Sequence, residues 1–296
     1  MVRVLLRRKP QVVVGSTPKA GLLSMIAARL VGVPVRVLQL RGARWEGMKG
    51  VRGALVRKAD WLAARCATDV LAVSDSLARL CTDLKIVRHA PVVLGLGGGK
   101  GVDRRVFRPP EHHRYSGETP HLGFAGRLSV DKGVGYLLPV LRAIRVSVPG
   151  ATLDVVGDRD QADPVSEGII EKLRKEPGVR LMSRMSSREF AEVIRQWDLL
   201  IFPSSREGLP NVVVEAAACG VPAVGWEATG VKDAIAHGVS GYLVELGNIE
   251  ALASASCALL DEAQHEVFQL GAEQWASHFD ADSIAAKWSV WLQGRV

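Results

Sequence analysis

Short runs of β-branched residues alternate with helical stretches along the whole chain, and this alternation restricts the fold more than any other feature. Strand-like runs fall at 11–14, 35–38, 70–73 and 92–94. Between them lie helical patterns at 19–31 and 51–67, and a helix start at Ser74-Asp75-Ser76, whose side chains suit an N-cap. A second series opens at His121, with strands at 122–125, 152–156, 179–182, 199–202, 222–224 and 241–244. Helices at 135–146, 167–175, 187–196 and 211–219 separate most of these strands, a serine cap opens the third, and the remainder to Trp291 reads as helical. Alternating strand and helix argues for parallel βαβ units. The second series, with about six strands, makes a full doubly wound domain.

Between the two series, residues 95–110 mix glycine, proline and basic residues without any period, which marks a connection. The likeness to a phosphate loop is superficial: no Ser or Thr follows Lys100, and no GxGxxG is present. The chain therefore divides into a first α/β domain over 1–94, a linker over 95–118, a second α/β domain over 119–278 and a C-terminal helix over 279–296.

Composition narrows the partners. A length of 296 residues suits two domains. No apolar run approaches the roughly 20 residues that span a bilayer, and the basic start at 1–10 lacks the apolar core of a signal peptide. Cys66, Cys81, Cys219 and Cys257 are scattered with no CxxC, so neither a zinc knuckle nor a disulfide framework is indicated, and a reducing cytoplasm fits. The net charge of +7 hides an asymmetry: residues 1–118 carry 22 Lys/Arg against 8 Asp/Glu, and residues 119–296 carry 16 against 23. The basic half points to an anionic partner. Few aromatics and no nucleic-acid-binding motif favour a membrane surface or phosphorylated lipid over nucleic acid. A merely solvated basic face would have the same composition. His112-His113 has no further ligand at metal spacing and reads as solvated, so no metal site is expected. Trp288 and Trp291, three apart, share one helical face.

Two segments carry chemistry. From Phe202 to Pro222 the chain reads as strand, polar loop and helix, with Pro210 near the first helical turn, where its missing N–H costs little. The free N–H groups of that turn and the positive end of the helix dipole make an anion site, placed past the carboxyl end of a strand. Glu207 lies in the loop, and Glu215 lies between Val214 and a run of alanines. A carboxylate on so apolar a helix needs a partner or a ligand, such as ribose hydroxyls. A salt-bridged or solvated glutamate is the plainer alternative. The second segment, Gly123-Phe124-Ala125-Gly126-Arg127-Leu128-Ser129-Val130-Asp131-Lys132-Gly133, follows the first strand of the second series. Its glycines permit close backbone approach, and Arg127 and Lys132 can grip a diphosphate.

These segments resemble the family 4 glycosyltransferases, the retaining group of the GT-B fold, and the resemblance runs over nearly the whole chain. Its most specific pieces are Glu207 and Glu215 at their fixed spacing, Gly126 to Leu128 with Asp131 to Gly133, and Thr229-Gly230 followed by Asp233 and by Gly238 and Gly241. Gly101-Val102-Asp103 with Phe107-Arg108-Pro109 is similar to the family's hinge. Thr17-Pro18-Lys19-Ala20-Gly21 and Arg41-Gly42-Ala43-Arg44-Trp45-Glu46-Gly47 resemble a bacterial subgroup acting on polyprenyl-diphosphate-linked acceptors in capsule, O-antigen or glycan synthesis.

The resemblance implies an α/β, GT-B chain of two Rossmann-like domains and a retaining transfer from a nucleotide-diphosphate-sugar to a lipid-linked or other glycan acceptor. Arg127 and Lys132 would hold the departing diphosphate, with Gly126 beside them, and Glu207 would contact the donor sugar. Gly208, Leu209, Pro210 and Asn211 would cradle sugar and phosphate, Glu215 would hold the ribose, and the loop from Met182 to Met185 would lie against the base. Lys19, Arg41 and Arg44 would face the acceptor. No metal or other cofactor is implied, because protein cations and the helix end meet the developing charge. The last helix would cross back to the first domain, and the enzyme would work at the inner face of the cell membrane.

Two departures stand out. Arg41 replaces a histidine common in relatives, and an arginine is a poor base. The segment at 1–9 resembles the tail of a helix whose beginning is missing, which makes the first domain incomplete. A nucleotide-sugar-binding protein without transfer is thus the alternative reading, with a sugar-nucleotide epimerase of the same architecture a weaker fit.

Overall fold

The computed structural model describes every residue except 17, 98, 112–114, 116–118, 162 and 296. Thr17 and the His112-His113 pair therefore lie outside the described residues. Two compact units emerge.

The first unit comprises Met1–Gly101 together with Arg206–Leu209 and Asp282–Val296. Its elements are α1 (Val2–Arg8), β1 (Val12–Gly15), α2 (Pro18–Leu30), β2 (Val35–Leu40), α3 (Gly50–Cys66), β3 (Asp69–Ala72), α4 (Asp75–Asp83) and β4 (Val92–Val93). The sheet runs β1-β2-β3-β4, and every pairing is parallel. Strands that advance in one direction through right-handed crossovers place α2 and α3 on the same face, and these two helices pack on each other. Helix α2 buries Gly21, Ser24, Met25 and Ala28, a three-and-four spacing that turns one stripe to the sheet. Small residues let it sit close: a Cβ on Gly15 would lie 2.3 Å from the Ser24 hydroxyl. Met25, Leu38, Leu40, Trp45 and Leu77 form the core.

The second unit comprises Val102–Ser205 and Pro210–Ala281. Its elements are β5 (His121–Ala125), α5 (Val134–Ser147), β6 (Thr152–Val156), α6 (Glu167–Lys175), β7 (Val179–Met182), α7 (Ser187–Ile194), β8 (Leu199–Phe202), α8 (Asn211–Ala218), β9 (Ala223–Trp226), α9 (Val231–Ala234), β10 (Gly241–Val244), α10 (Ile249–Leu259) and α11 (Glu262–Ala276). Helix α12 (Ala281–Gln293) follows, and all but its first residue group with the first unit. Six parallel strands run β10-β9-β8-β5-β6-β7. Strands β8 and β9 are buried at every residue, as their continuous apolar sequence requires of strands covered on both faces. Phe124, Leu141, Ile144, Val155, Ile201 and Trp226 anchor the core.

Three details differ from the sequence reading. The stretch after β10, read as helical with a separate last helix over 279–296, holds three α-helices and a 3-10 turn at Ser277–Phe279, so the part before the last helix is itself divided. Short α9 lacks enough residues for a helical period to register. Ser74 occupies the N-cap of α4, but its side chain makes no cap bond. Its Oγ instead donates to the Gly208 carbonyl at 2.6 Å. The expected serine cap on α7 is Ser186, in a reciprocal capping box with Glu189.

One buried charge organises the β5–β6–β7 side. Asp154, 1% exposed, accepts from Trp197 Nε1 at 3.1 Å and from Arg180 Nε and Nη2 at 2.9 and 2.7 Å, with His121 Nε2 at 3.2 Å. The Trp197 ring lies flat against β5 because Gly123 has no side chain; a Cβ there would fall 2.0 Å from the ring. Burial pushes the Asp154 carboxyl up, but hydrogen bonds from His121, Arg180 and Trp197 outweigh it and hold it at about 2. Its folded value lies below the unfolded value of 3.8, so its contribution is complete above that value and is lost as pH falls towards 2. Asp154→Asn should therefore cost about 2–4 kcal/mol at neutral pH. Thermal melts should show the gap between variant and parent narrowing as the pH is lowered from 4 towards 2; a constant gap would contradict this account.

Candidate active site

Strand order reverses between β5 and β8: the chain builds outward through β6 and β7, then returns to build through β9 and β10. In open parallel sheets, ligands bind past the carboxyl ends of the strands at such a point. The two loops leaving it are 126–133 after β5 and 203–210 after β8, the two segments singled out in the sequence.

The structure joins these loops through Asp131. Its backbone carbonyl accepts from Ser205 N–H at 2.9 Å, Ser205 Oγ at 3.1 Å and Ser204 Oγ at 3.3 Å. Its carboxylate, 9% exposed, accepts from Ser129 Oγ and from Arg127 Nη2 at 3.5 Å, and lies 3.9 Å from Lys132 Nζ. Arg127 also pairs with Asp160. The two cations thus share one buried carboxylate, which limits where their charge can point. Lys132 is largely covered, and Arg127 is exposed enough to meet a ligand.

Glycine makes the junction possible. Gly133 adopts φ +73°, and a Cβ there would lie 1.9 Å from the Pro203 carbonyl oxygen. Gly157, φ +151°, lets the β6 loop approach the Gly126 carbonyl in the same way.

Helix α8 starts at Asn211 with Pro210 as its N-cap and no side-chain cap. The Val213 N–H is taken by the Pro210 carbonyl at 3.1 Å, and the N–H groups of Asn211 and Val212 come too early in the helix to find an acceptor within it. Glu215 is buried at 8% exposure among Val213, Val214 and Ala216–Ala218, as its apolar surroundings implied. Glu207 is half-buried and, with Gly208 and Leu209, belongs to the first unit.

In that unit Gly208 packs against the backbone after β2: a Cβ on it would lie 2.1 Å from the Arg41 carbonyl oxygen. Arg206 Nη1 donates to the Arg44 carbonyl at 2.8 Å. Arg41 is exposed and its guanidinium lies over Gly99. It lines a small cavity with Ser16, Gln39, Gly42 and Asp60. Asp60 is buried and accepts from Trp45 Nε1 at 2.9 Å; burial pushes its carboxyl up to about 6, with the Trp45 bond offsetting only part. Lys19 stands apart, exposed in the first turn of α2. Sequence reasoning missed Asp131, Asp160, Ser204, Ser205 and Asp60. Asp131, Ser204 and Ser205 lay inside the two segments already singled out, but nothing local marked Asp160 or Asp60. Among the described residues, no cluster of His, Cys, Asp and Glu is placed to hold a metal ion.

Two α/β units built on parallel sheets have the architecture of the GT-B class. Superposition on HepE (Alr3699) of Anabaena, solved in complex with UDP, gives a TM-score of 0.81 over 99% of this chain and 80% of that one, at 22% identity. A sucrose-phosphate synthase from Thermosynechococcus elongatus gives 0.81 at 16% identity, covering 99% of this chain and 75% of that one. In sequence, residues 1–97 match the model described as glycosyl transferase 4-like domain, and residues 119–262 match glycosyl transferases group 1. The capsular polysaccharide biosynthesis glycosyltransferase CapM of Staphylococcus aureus is 29% identical, over 88% of this chain and 70% of the relative. The UDP-Gal:alpha-D-GlcNAc-diphosphoundecaprenol alpha-1,3-galactosyltransferase of Escherichia coli is 24% identical, over 88% and 69%. A D-inositol 3-phosphate glycosyltransferase of Segniliparus rotundus is 30% identical, but this chain spans only 46% of its length. The chain is a GT-B glycosyltransferase.

Gly133→Ala tests the junction of the two loops. Left-handed backbone strain costs an alanine about 1–2 kcal/mol, and the clash with the Pro203 carbonyl adds to it. A fall in Tm of several degrees is expected in thermal melts; a parental Tm would show that the loops do not meet as described.

Proposed function

We propose that the protein is a retaining hexosyltransferase that moves a sugar from a nucleotide-diphosphate-sugar to a lipid-linked or other glycan acceptor in cell-surface polysaccharide synthesis. The observation that carries the proposal is the pair Arg127 and Lys132, held on Asp131 at the strand-order reversal beside the start of α8. Two fixed cations and a helix N-terminus are the charge pattern a diphosphate needs. The UDP complex of HepE and the UDP-galactose donor named for the Escherichia coli relative support a uridine diphosphate donor. CapM and that same relative support a polysaccharide precursor on a polyprenyl diphosphate as acceptor.

In this reading Gly126 admits the diphosphate to the backbone while Arg127 and Lys132 neutralise it. Glu215 accepts hydrogen bonds from the ribose hydroxyls, and the loop from Met182 to Met185 covers the base. Glu207 contacts the donor sugar, and Gly208, Leu209, Pro210 and Asn211 cradle sugar and phosphate. The bond from the anomeric carbon to the diphosphate oxygen breaks, and the electron pair leaves with the diphosphate. The acceptor hydroxyl adds to the face the diphosphate has left, and its proton passes to a departing phosphate oxygen, which retains configuration. Protein groups thus stabilise the charge as it develops. Lys19, Arg41 and Arg44 serve the acceptor, and the work takes place at the inner face of the cell membrane.

Removing one charged partner of a phosphate typically costs about 1.5–3 kcal/mol. Arg127→Ala and Lys132→Ala should each weaken UDP binding by about tenfold or more in calorimetric titration. Parental affinity in both variants would overturn the assignment.

A further inference from the structure

The first acidic residue of the chain is Glu46, and helices α1, α2 and α3 together contain a single carboxylate, Asp60. That carboxylate faces inward, bonded to Trp45. The outer surface of these helices therefore carries cations and no acid, yet it is not simply polar. On α3, Val51, Leu55, Lys58 and Leu62 follow a spacing of four, three and four, which puts them on one stripe. The stripe lies opposite the buried Gly53, Asp60 and Ala64, and Val51 and Leu55 are 75% and 62% exposed. Trp61 borders it, with the Arg65 guanidinium 4.7 Å from its ring centre.

Helix α2, on the same face of the sheet and packed against α3, repeats the arrangement. Lys19, Leu23 and Leu30 share its outer stripe, and Leu30 is 73% exposed. An exposed apolar stripe on two neighbouring helices, bordered by Arg52, Arg57 and Arg29, is the pattern of a surface that lies in a lipid headgroup layer. None of the described helices is long and apolar enough to cross a membrane.

We propose that the outer face of α2 and α3 docks on an anionic bilayer, with Val51, Leu55, Leu62 and Leu30 entering the headgroup–acyl boundary and the surrounding cations meeting lipid phosphates. Charge selects this occupant. A second copy of the chain would bring an identical patch against itself in a two-fold pair, opposing cations to cations. The proposal rests on the reading of a membrane-linked acceptor and names the surface that brings the enzyme to it.

The test is co-sedimentation of the full chain with phosphatidylcholine vesicles, with and without phosphatidylglycerol, alongside UDP titration and far-ultraviolet circular dichroism of the same samples. Binding should require phosphatidylglycerol and weaken with salt. The double variant Val51→Glu/Leu55→Glu should lower the partition coefficient by about tenfold or more, and Lys58→Glu by about fivefold or more, with UDP affinity and the dichroism spectrum unchanged. Binding indifferent to phosphatidylglycerol, parental binding by the folded variants, or an absence of vesicle binding with the protein dimerising through the same stripe would each overturn the proposal. Because UDP affinity is read separately, loss of docking and failure of the donor assignment are told apart.

Discussion

The backbone carbonyl of Asp131 receives three hydrogen bonds from Ser204 and Ser205, while its carboxylate lies within reach of Arg127 and Lys132. One residue thus ties the loop after β5 to the loop after β8 and sets the direction of both cations. The surrounding fold serves this junction. Parallel strands β5 and β8 are neighbours because the strand order reverses there, and Gly133 removes the side chain that would hold the loops apart. The Asp154 network fixes β5, β6 and β7 on one side. A cation left without such a partner would be free to swing, and its charge would be spread over many positions. Pairing costs some field strength and returns a defined geometry.

Much of this was legible in the sequence, for physical reasons. Strands covered on both faces must be apolar throughout, so β8 and β9 showed as unbroken runs. Glu215 stood out because a carboxylate among alanines is costly unless it is served, and the structure buries it. The contacts that join the loops were not legible. Ser204 and Ser205 bond to a backbone oxygen more than 70 residues away in sequence, and a backbone acceptor leaves no mark in a sequence. The pairing of Arg127 with Asp160 was hidden in the same way. Ser74 shows the opposite failure: a residue with strong local capping preference is taken by a distant acceptor, the Gly208 carbonyl. The last helix was set apart in the sequence, but the break between α10 and α11 was not, because only two residues separate them.

Charge and apolar surface are unevenly shared between the two units. The second carries the site with paired cations inside an otherwise acidic half. In the first, the outer face of α2 and α3 is free of acids, and leucine and valine stand there among arginines and lysines. A soluble donor and a membrane-bound acceptor would call for such a division. The donor needs a few charges held in fixed places, whereas a bilayer needs many charges that tolerate variable places.

The most direct test of the central claim, a diphosphate held by Arg127 and Lys132 beside the start of α8, is a thermal-shift comparison of UDP, UDP-sugars and UMP. A ligand at a hundred times its Kd adds about 2.7 kcal/mol to the state that binds it. UDP and at least one UDP-sugar should raise the Tm by several degrees, and UMP, which lacks the second phosphate, by much less. Equal shifts with UMP and UDP, or no shift with any of them, would contradict the account.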